Sequence, residues 1–299
     1  MHNPKVRRLR PEKLRVYDTL HDANGRLLAS GDPHEIIGEV EVLYKSKKTG
    51  NAVITRRSIH RNDLLVTGAV FLSEKVNNIR STFLTTPIDL EQGVHTVEEI
   101  DTSSATVPME HIVGIMVGNG GCGDTYNTVH KVHRTDRNVP GVLPFRVVPW
   151  NADLEGADRN RYLLRVQRDD YVYYYGKKFT ATREINVMYD DGTIVPTNVD
   201  VIGDANGKYI QTFTKYTAIV DESDIREYFK ITQGSTLRSL VNSVGLLTGY
   251  LGEASDSADK GGGVEEVFNA RMMTTLNMES SELKDSASTI TFIYRLYFT

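Results

Sequence analysis

The stretch RYLLRVQRDDYVYYYGKKFTATREINVMYDDGTI, residues 161–194, decides the fold class. Three strand-like runs follow one another in it, at 161–167, 170–181 and 183–189. Valine, tyrosine and isoleucine crowd these runs, and such side chains suit a pleated, half-buried surface. The stretch closes on Asp191–Gly192, a dipeptide that tolerates the positive φ of a tight hairpin turn.

The same turn chemistry recurs outward from there. DANGRL at 22–27 and DANGKY at 204–209 both carry Asn-Gly, and KSKKTGNAV at 45–53 has Gly50–Asn51 at its tip. EIIGEVEVLY (35–44) alternates acid and valine with period two, the pattern of a half-buried strand, and NAVITRRSI (51–59) is its expected partner. Further expected strands are 63–73, 111–117, 143–150, 193–202, 209–220 and 288–299. The regular strand–helix alternation of a parallel α/β sheet is missing.

Helical signals gather late. DESDIREYFKI (221–231) has acids in its first turn, Ile225, Tyr228 and Phe229 at helical spacing, and Gly234 as a stop. STLRSLVNSVGLLTGYLGE (235–253) places Leu237, Leu240, Val241, Val244 and Leu247 on one helical face, with Ser235 as N-cap and Gly252 at the C-terminal end. Gly245 and Gly249 weaken that helix by up to about 1 kcal/mol each. Residues 254–266 are polar and glycine-rich, which predicts a flexible loop, and 264–273 a short helix after it. The expected fold is therefore α+β and mainly β, with antiparallel hairpin-rich sheets or a sandwich and a few helices in the C-terminal third. The expected domains are a basic arm (1–20), a β-rich core (21–220) and a third part (221–299) that either stands apart or continues the core as one domain.

Charge is mixed, with 35 Lys+Arg against 39 Asp+Glu and a formal net charge of −4. That balance excludes a generally basic nucleic-acid coat and an acidic disordered tail. The single cysteine, Cys122, cannot form an internal disulfide. No run of about 18 apolar residues predicts a membrane span. The first fifteen residues carry Lys5, Arg7, Arg8, Arg10, Lys13 and Arg15 against one acid, Glu12. Pro4 and Pro11 break any helix across this arm. It is a solvated tail, reaches over an acidic face of a neighbouring subunit, or touches nucleic-acid phosphates, and subunit contact is the favoured expectation.

HIVGIMVGNGGCGDTYNTVHKVHR (111–134) is the stretch most like an enzyme's. Gly118, Gly120 and Gly123 complete a G-x-G-x-x-G pattern, and Gly118 with Gly123–Asp124–Thr125 matches a Walker A loop apart from its lysine. A dinucleotide site needs a helix after the glycines and an acid about 20 residues on. Here Thr, Tyr, Asn and Val follow, Asp136 is too early and Asp153 too late. Asp124, where the Walker lysine belongs, would repel a phosphate. A tight turn with several positive-φ glycines is the expectation. His130 and His133, with Cys122, Asp124 and Asp136 near in sequence, form a candidate metal site. Three-residue spacing on a strand points the two imidazoles to opposite faces, and Lys131 and Arg134 would repel a cation. No motif pairs a nucleophile with its base, so no catalytic residue and no cofactor are expected. Alternating aromatics in YVYYYGKKF (171–179) suit sheet packing or an interface better than base stacking.

The pattern IVGIMVGNGGCGD, followed about 20 residues later by VPGVLPFRVVP, resembles virion structural proteins of large contractile-tailed bacteriophages. The matching residues are Val117, Gly118, Gly120 and Gly121, then Leu143, Pro144, Phe145 and Arg146, with Leu143 standing where the pattern has isoleucine. The resemblance covers about 40 of 299 residues. It implies a non-enzymatic subunit that works by contact, found in the virion after assembly in the host cytoplasm. Its size suits a neck subunit, a ring joining the portal to the tail. A baseplate or tail-fibre attachment subunit is the alternative, and a nucleotide- or metal-binding enzyme using the 118–125 loop is the competing class. The expected partners are copies of itself and virion proteins such as portal, tail terminator or sheath, with passing DNA contact through the arm. Expected contact residues are the six arm cations, Gly118, Gly120, Gly121, Tyr173, Tyr175, Gly261, Gly262 and Gly263.

Overall fold

A computed structural model describes residues 14–16, 19–21, 27–30, 34–46, 53–77, 89–90, 93–94, 110–123, 128–179, 184–189, 194–196, 209–234, 239–254, 257, 262–282 and 289–298. The chain starts with β1 (Leu14–Val16), β2 (Thr19–His21), β3 (Leu27–Ser30), β4 (His34–Ser46) and β5 (Val53–Arg61). After β6 (Asp63–Leu64) come helix α1 (Val66–Asn77), β7 (Asp89–Leu90) and β8 (Gly93–Val94). Then follow β9 (His111–Gly118), β10 (Val142–Leu143), β11 (Arg146–Pro149) and the short α2 (Gly156–Arg159). The stretch that sets the fold class forms β12 (Tyr162–Arg168), β13 (Tyr171–Lys178) and β14 (Glu184–Tyr189), with β15 (Ile194–Pro196) after it. The remainder is β16 (Tyr209–Asp221), α3 (Glu222–Gln233), β17 (Leu240–Glu253), β18 (Glu265–Glu282) and β19 (Thr289–Phe298). The protein is mainly β, with antiparallel sheets and few helices. Among the described residues no helix is long and apolar enough to cross a membrane.

Two compact units interleave along the chain. One takes Met1–Val40, Arg183–Tyr216 and Tyr294–Thr299; the other takes Glu41–Thr182 and Thr217–Ile293. Strands β4, β16 and β19 each contribute residues to both. A seven-stranded sheet runs in the order β1-β4-β19-β16-β14-β15, with β5 on β4, the partner expected for it. In the first unit β14 lies antiparallel between β15 and β16, and Val187, Phe213, Tyr294 and Leu296 are buried. The expected turns at 22–26, 47–52, 190–193 and 204–208 lie outside the described residues, as does most of 254–261.

The second unit holds an eight-stranded sheet, β11-β13-β9-β17-β18-β6, with β10 on β9 and β12 on β13. Two residues, Asp169 and Asp170, join β12 to β13, and Asp169 takes the left-handed conformation (φ 51°) that a tight turn needs. Strand β17 has β9 on one edge and β18 on the other, and every residue from Val241 to Tyr250 is buried. Strand β18 has 18 residues against 14 in β17; the surplus is absorbed where the register shifts, at Val241/Ser243, Leu246/Leu247 and Thr248/Tyr250. At the last shift Asn269 is left-handed (φ 49°), and such bulges bend and twist a strand.

Three expected elements change type. Residues 240–253 and 265–282 are strands, where the sequence predicts helices over 235–253 and 264–273. A strand buried on both faces is apolar at nearly every position, so a helical stripe can be picked out of it by chance. Gly245 settles the matter physically: a Cβ there would lie 2.3 Å from the Thr274 carbonyl oxygen. Residues 66–77 form α1 where the sequence predicts a strand over 63–73. Leu65, Gly68 and Phe71, three residues apart, are its buried face, and Gly68 lies against the Met273 carbonyl. The amides of Leu65 and Val66 donate to Met273 O (3.0 Å) and Arg134 O (2.8 Å), which anchors the entry to the helix. Helix α3 forms where expected, with Ile225 and Phe229 buried and Gly234 left-handed (φ 65°) at its end.

The sign of one substitution separates the two readings of 240–253. In a helix Gly245→Ala would stabilise by up to about 1 kcal/mol. In the paired strand it collides with backbone, and urea denaturation should show a loss of about 1–3 kcal/mol.

Candidate functional site

The glycine loop grows directly out of β9. Asn119 donates its backbone N–H to Gly141 O (2.9 Å), and Gly120 donates to Pro140 O (3.0 Å). The Gly121 amide donates to Asn242 Oδ1 (2.6 Å) and that of Gly123 to Thr128 O (2.9 Å). The chain then folds back, with Cys122 bridged to Val129 and His130 N donating to Gly121 O (2.9 Å). The Cys122 thiol donates to Met278 O (2.8 Å). Four amides that a phosphate would need are thus committed to acceptors within the chain.

Gly118, Gly120 and Gly121 serve closeness, not turn geometry. The sequence predicts left-handed φ at several of them, yet among these positions only the facing Gly141 (φ 58°) adopts it. A Cβ on Gly118 would lie 2.2 Å from Pro140 O, on Gly120 2.8 Å from Gly141 N, and on Gly121 2.3 Å from Asn242 O. Strand β10 pairs Val142 with Gly118 and Leu143 with Val117. The two halves of the resemblance pattern, some 20 residues apart, are therefore one hydrogen-bonded unit.

The other expected contact residues scatter. Lys5, Arg7, Arg8, Arg10, Lys13 and Gly261 lie outside the described residues, and Arg15 sits in β1 opposite Glu35. Tyr173 and Tyr175 are corrected from contact residues to core: both are buried in the main apolar cluster with Val147, Leu163 and Leu247. Gly262 and Gly263 are exposed and left-handed (φ 78° and 70°), and Gly263 O accepts a bond from Asn160 Nδ2 (3.4 Å). His130 and His133 are exposed, and Asp136 is occupied as a turn cap, its Oδ2 accepting His133 N (2.9 Å). No group of three or more His, Cys, Asp or Glu among the described residues could hold a metal ion.

Comparison with known proteins adds no relative to this geometry. No family model matches the chain, no curated protein matches it, and no solved structure does.

A buried polar network, which sequence reasoning missed, ties the second unit together. Asp224, in the first turn of α3, accepts the backbone N–H of Asp221 (2.8 Å), the Tyr162 hydroxyl (3.1 Å) and the Lys177 ammonium. Asp224 and Lys177 are 1% and 3% exposed, so each depends on the other for its charge. Asp221 lies 3.9 Å from the same ammonium, and Arg161 3.7 Å from Asp224. A neighbouring group joins Asp153 to Tyr174 and, at 2.8 Å, to Arg165. Arg159, fully buried, pairs with Glu266 and covers the Tyr174 ring. Further along β18, Arg271 is clamped between Glu74 (2.7 Å) and Glu110. Burial opposes the Arg271 charge, but the two carboxylates hold its pKa above the ordinary value.

Burial first, then the Asp224 charge, raises the Tyr162 phenol well above its usual range. Burial first, then the hydrogen bond to Asp153, does the same to Tyr174. These phenols are protonated donors at any ordinary pH, unsuited to proton transfer. The arrangement holds strands to helix.

Asp224→Ala leaves the buried Lys177 ammonium with only the partly exposed Asp221, 3.9 Å away, and should cost about 3–5 kcal/mol of stability in chemical denaturation. Because the folded phenols ionise only above the unfolded value of about 10, their contribution is complete below pH 10 and is lost as pH rises beyond it. The melting temperature should therefore fall from about pH 10 upward, with a shallower decline in Tyr162→Phe.

Proposed function

We propose that this chain is a non-enzymatic structural subunit of a tailed-bacteriophage virion, forming an oligomeric ring at the neck between portal and tail. The observation that carries the reading is the unit built by 111–123 and 139–146. The residues of the resemblance pattern, Gly118, Gly120 and Gly121 with Leu143 and Phe145, belong to one unit in which the glycines make backbone approaches that admit no side chain. Phe145 is fully buried and its amide donates to Tyr174 O (2.7 Å). A glycine pattern whose amides face inward supports an architectural role over a phosphate cradle. The buried ion pairs support the same role, since their carboxylates and cations are committed to one another.

The full chain should assemble into closed rings of a single mass, seen by native mass spectrometry and negative-stain images over a range of concentrations. A strict monomer at every concentration overturns the ring. The non-enzymatic part has its own test, thermal unfolding with ATP, NAD or zinc added. Melting should be unmoved, because a ligand at 100 times its dissociation constant would add about 2.7 kcal/mol. A clear upward shift overturns that part.

A further inference from the structure

Residues 128–140 form a strap over the second unit whose charge the proposed ring does not use. In a chain of net charge −4, this segment carries Lys131, Arg134 and Arg137 against one acid, Asp136. All three cations are exposed, and none has an ion-pair partner among the described residues. Elsewhere in the second unit Arg159, Arg165, Lys177, Lys178 and Arg271 are matched by carboxylates. The one acid of the strap is engaged at its own turn, where Asp136 Oδ2 accepts His133 N (2.9 Å) and Asp136 N donates to His133 O (2.9 Å).

The strap is held, not loose. His130 N donates to Gly121 O (2.9 Å), and His130 O accepts from Asn277 Nδ2 (2.9 Å). Arg134 O accepts the Val66 amide at the start of α1 (2.8 Å), and Val132 packs against the core. With the backbone anchored around the cations, little chain entropy is given up when they meet a ligand.

We infer that this strap is a binding surface for the phosphate backbone of duplex DNA. Three cations at three-residue spacing, with the exposed hydroxyl residues Thr128 before them and Thr135 among them, supply the donor types that phosphates accept. Val129 is the one exposed large apolar side chain on the strap, whereas a protein interface is anchored by buried aromatic or large apolar side chains. With no Phe, Tyr or Trp on it, the strap recognises backbone charge and carries no sequence preference. The inference stands apart from the ring reading, because it rests on this strap alone.

The test is fluorescence anisotropy of a labelled random-sequence duplex with the full chain, across a salt series. The triple variant Lys131→Gln, Arg134→Gln, Arg137→Gln leaves the backbone anchors in place. A second variant replaces Lys5, Arg7, Arg8, Arg10 and Lys13 with glutamine, which isolates the arm. The strap variant should lower the slope of log affinity against log salt by about 0.9 for each phosphate it no longer neutralises, up to about 2.7. Its assembly state and melting should match the parent chain. Unchanged DNA binding in the strap variant overturns the inference, whatever the arm variant does. So does binding of poly-glutamate in preference to DNA, or failure of the strap variant to self-assemble, either of which makes the strap a protein contact.

Discussion

Strand β17 is the constraint on which the second unit depends. Both of its edges are hydrogen-bonded, to β9 and β18, and ten consecutive residues are buried on both faces. A strand so enclosed has no side on which a misfit can be relieved. Its sequence shows the result in Ser243, Gly245 and Gly249, small residues where neighbouring backbone or side chains press close. Even Ser243 has a partner, its hydroxyl donating to Pro140 O (2.9 Å). Through Asn242 and Ser243, β17 also fixes the glycine loop and the segment that faces it.

Around that strand, charge is arranged in pairs that cross between elements. Asp224 brings α3 onto β12 and β13; Arg271 brings α1 and the approach to β9 onto β18; Arg159 and Lys178 bring α2 and the end of β13 to the first residues of β18. The pairs of Asp224, Arg271 and Arg159 are not surface pairs of small worth, because in each at least one partner is nearly or fully buried. Such pairs stabilise little relative to an apolar substitute but punish any arrangement that separates them. They therefore select one way of laying helices on the sheet. The strap at 128–140 is the exception, with cations that meet no such match among the described residues.

How much of this is legible in the sequence depends on whether the signal is local. Helix α3 carries its start, its apolar face and its stop between Asp221 and Gly234, and the sequence predicts it correctly. The hairpin of β12 and β13 is equally plain, because Asp169–Asp170 separates two β-rich runs. Strand β17 passes for a helix because burial on both faces erases the period-two pattern, although Gly245 and Gly249 already argue against one. Helix α1 passes for a strand for the opposite reason: Val66, Thr67, Val70 and Phe71 look strand-like, and the carbonyls that anchor its entry come from Met273 and Arg134. The glycine loop is correctly placed after an extended segment, but the cause of its glycines lies at Pro140 and Asn242. The ion pairs join residues far apart in sequence, such as Arg271 with Glu74, and no spacing rule announces them.

The position of β9 has a consequence for how the chain is made. Its apolar strand is complete at Gly118, yet the neighbour that covers one of its edges begins at Leu240. At a synthesis rate of about 5–20 residues per second, that edge waits on the order of ten seconds for β17 to emerge. Short β10, and the end of β13 after it, reach the other edge much sooner. During that interval an apolar strand with one open edge is present on the nascent chain, the kind of surface that draws chaperones or a neighbouring copy. The glycine loop folding back on Pro140 and Gly141 gives the early segment a partial partner of its own, before the sheet's central strand has been translated.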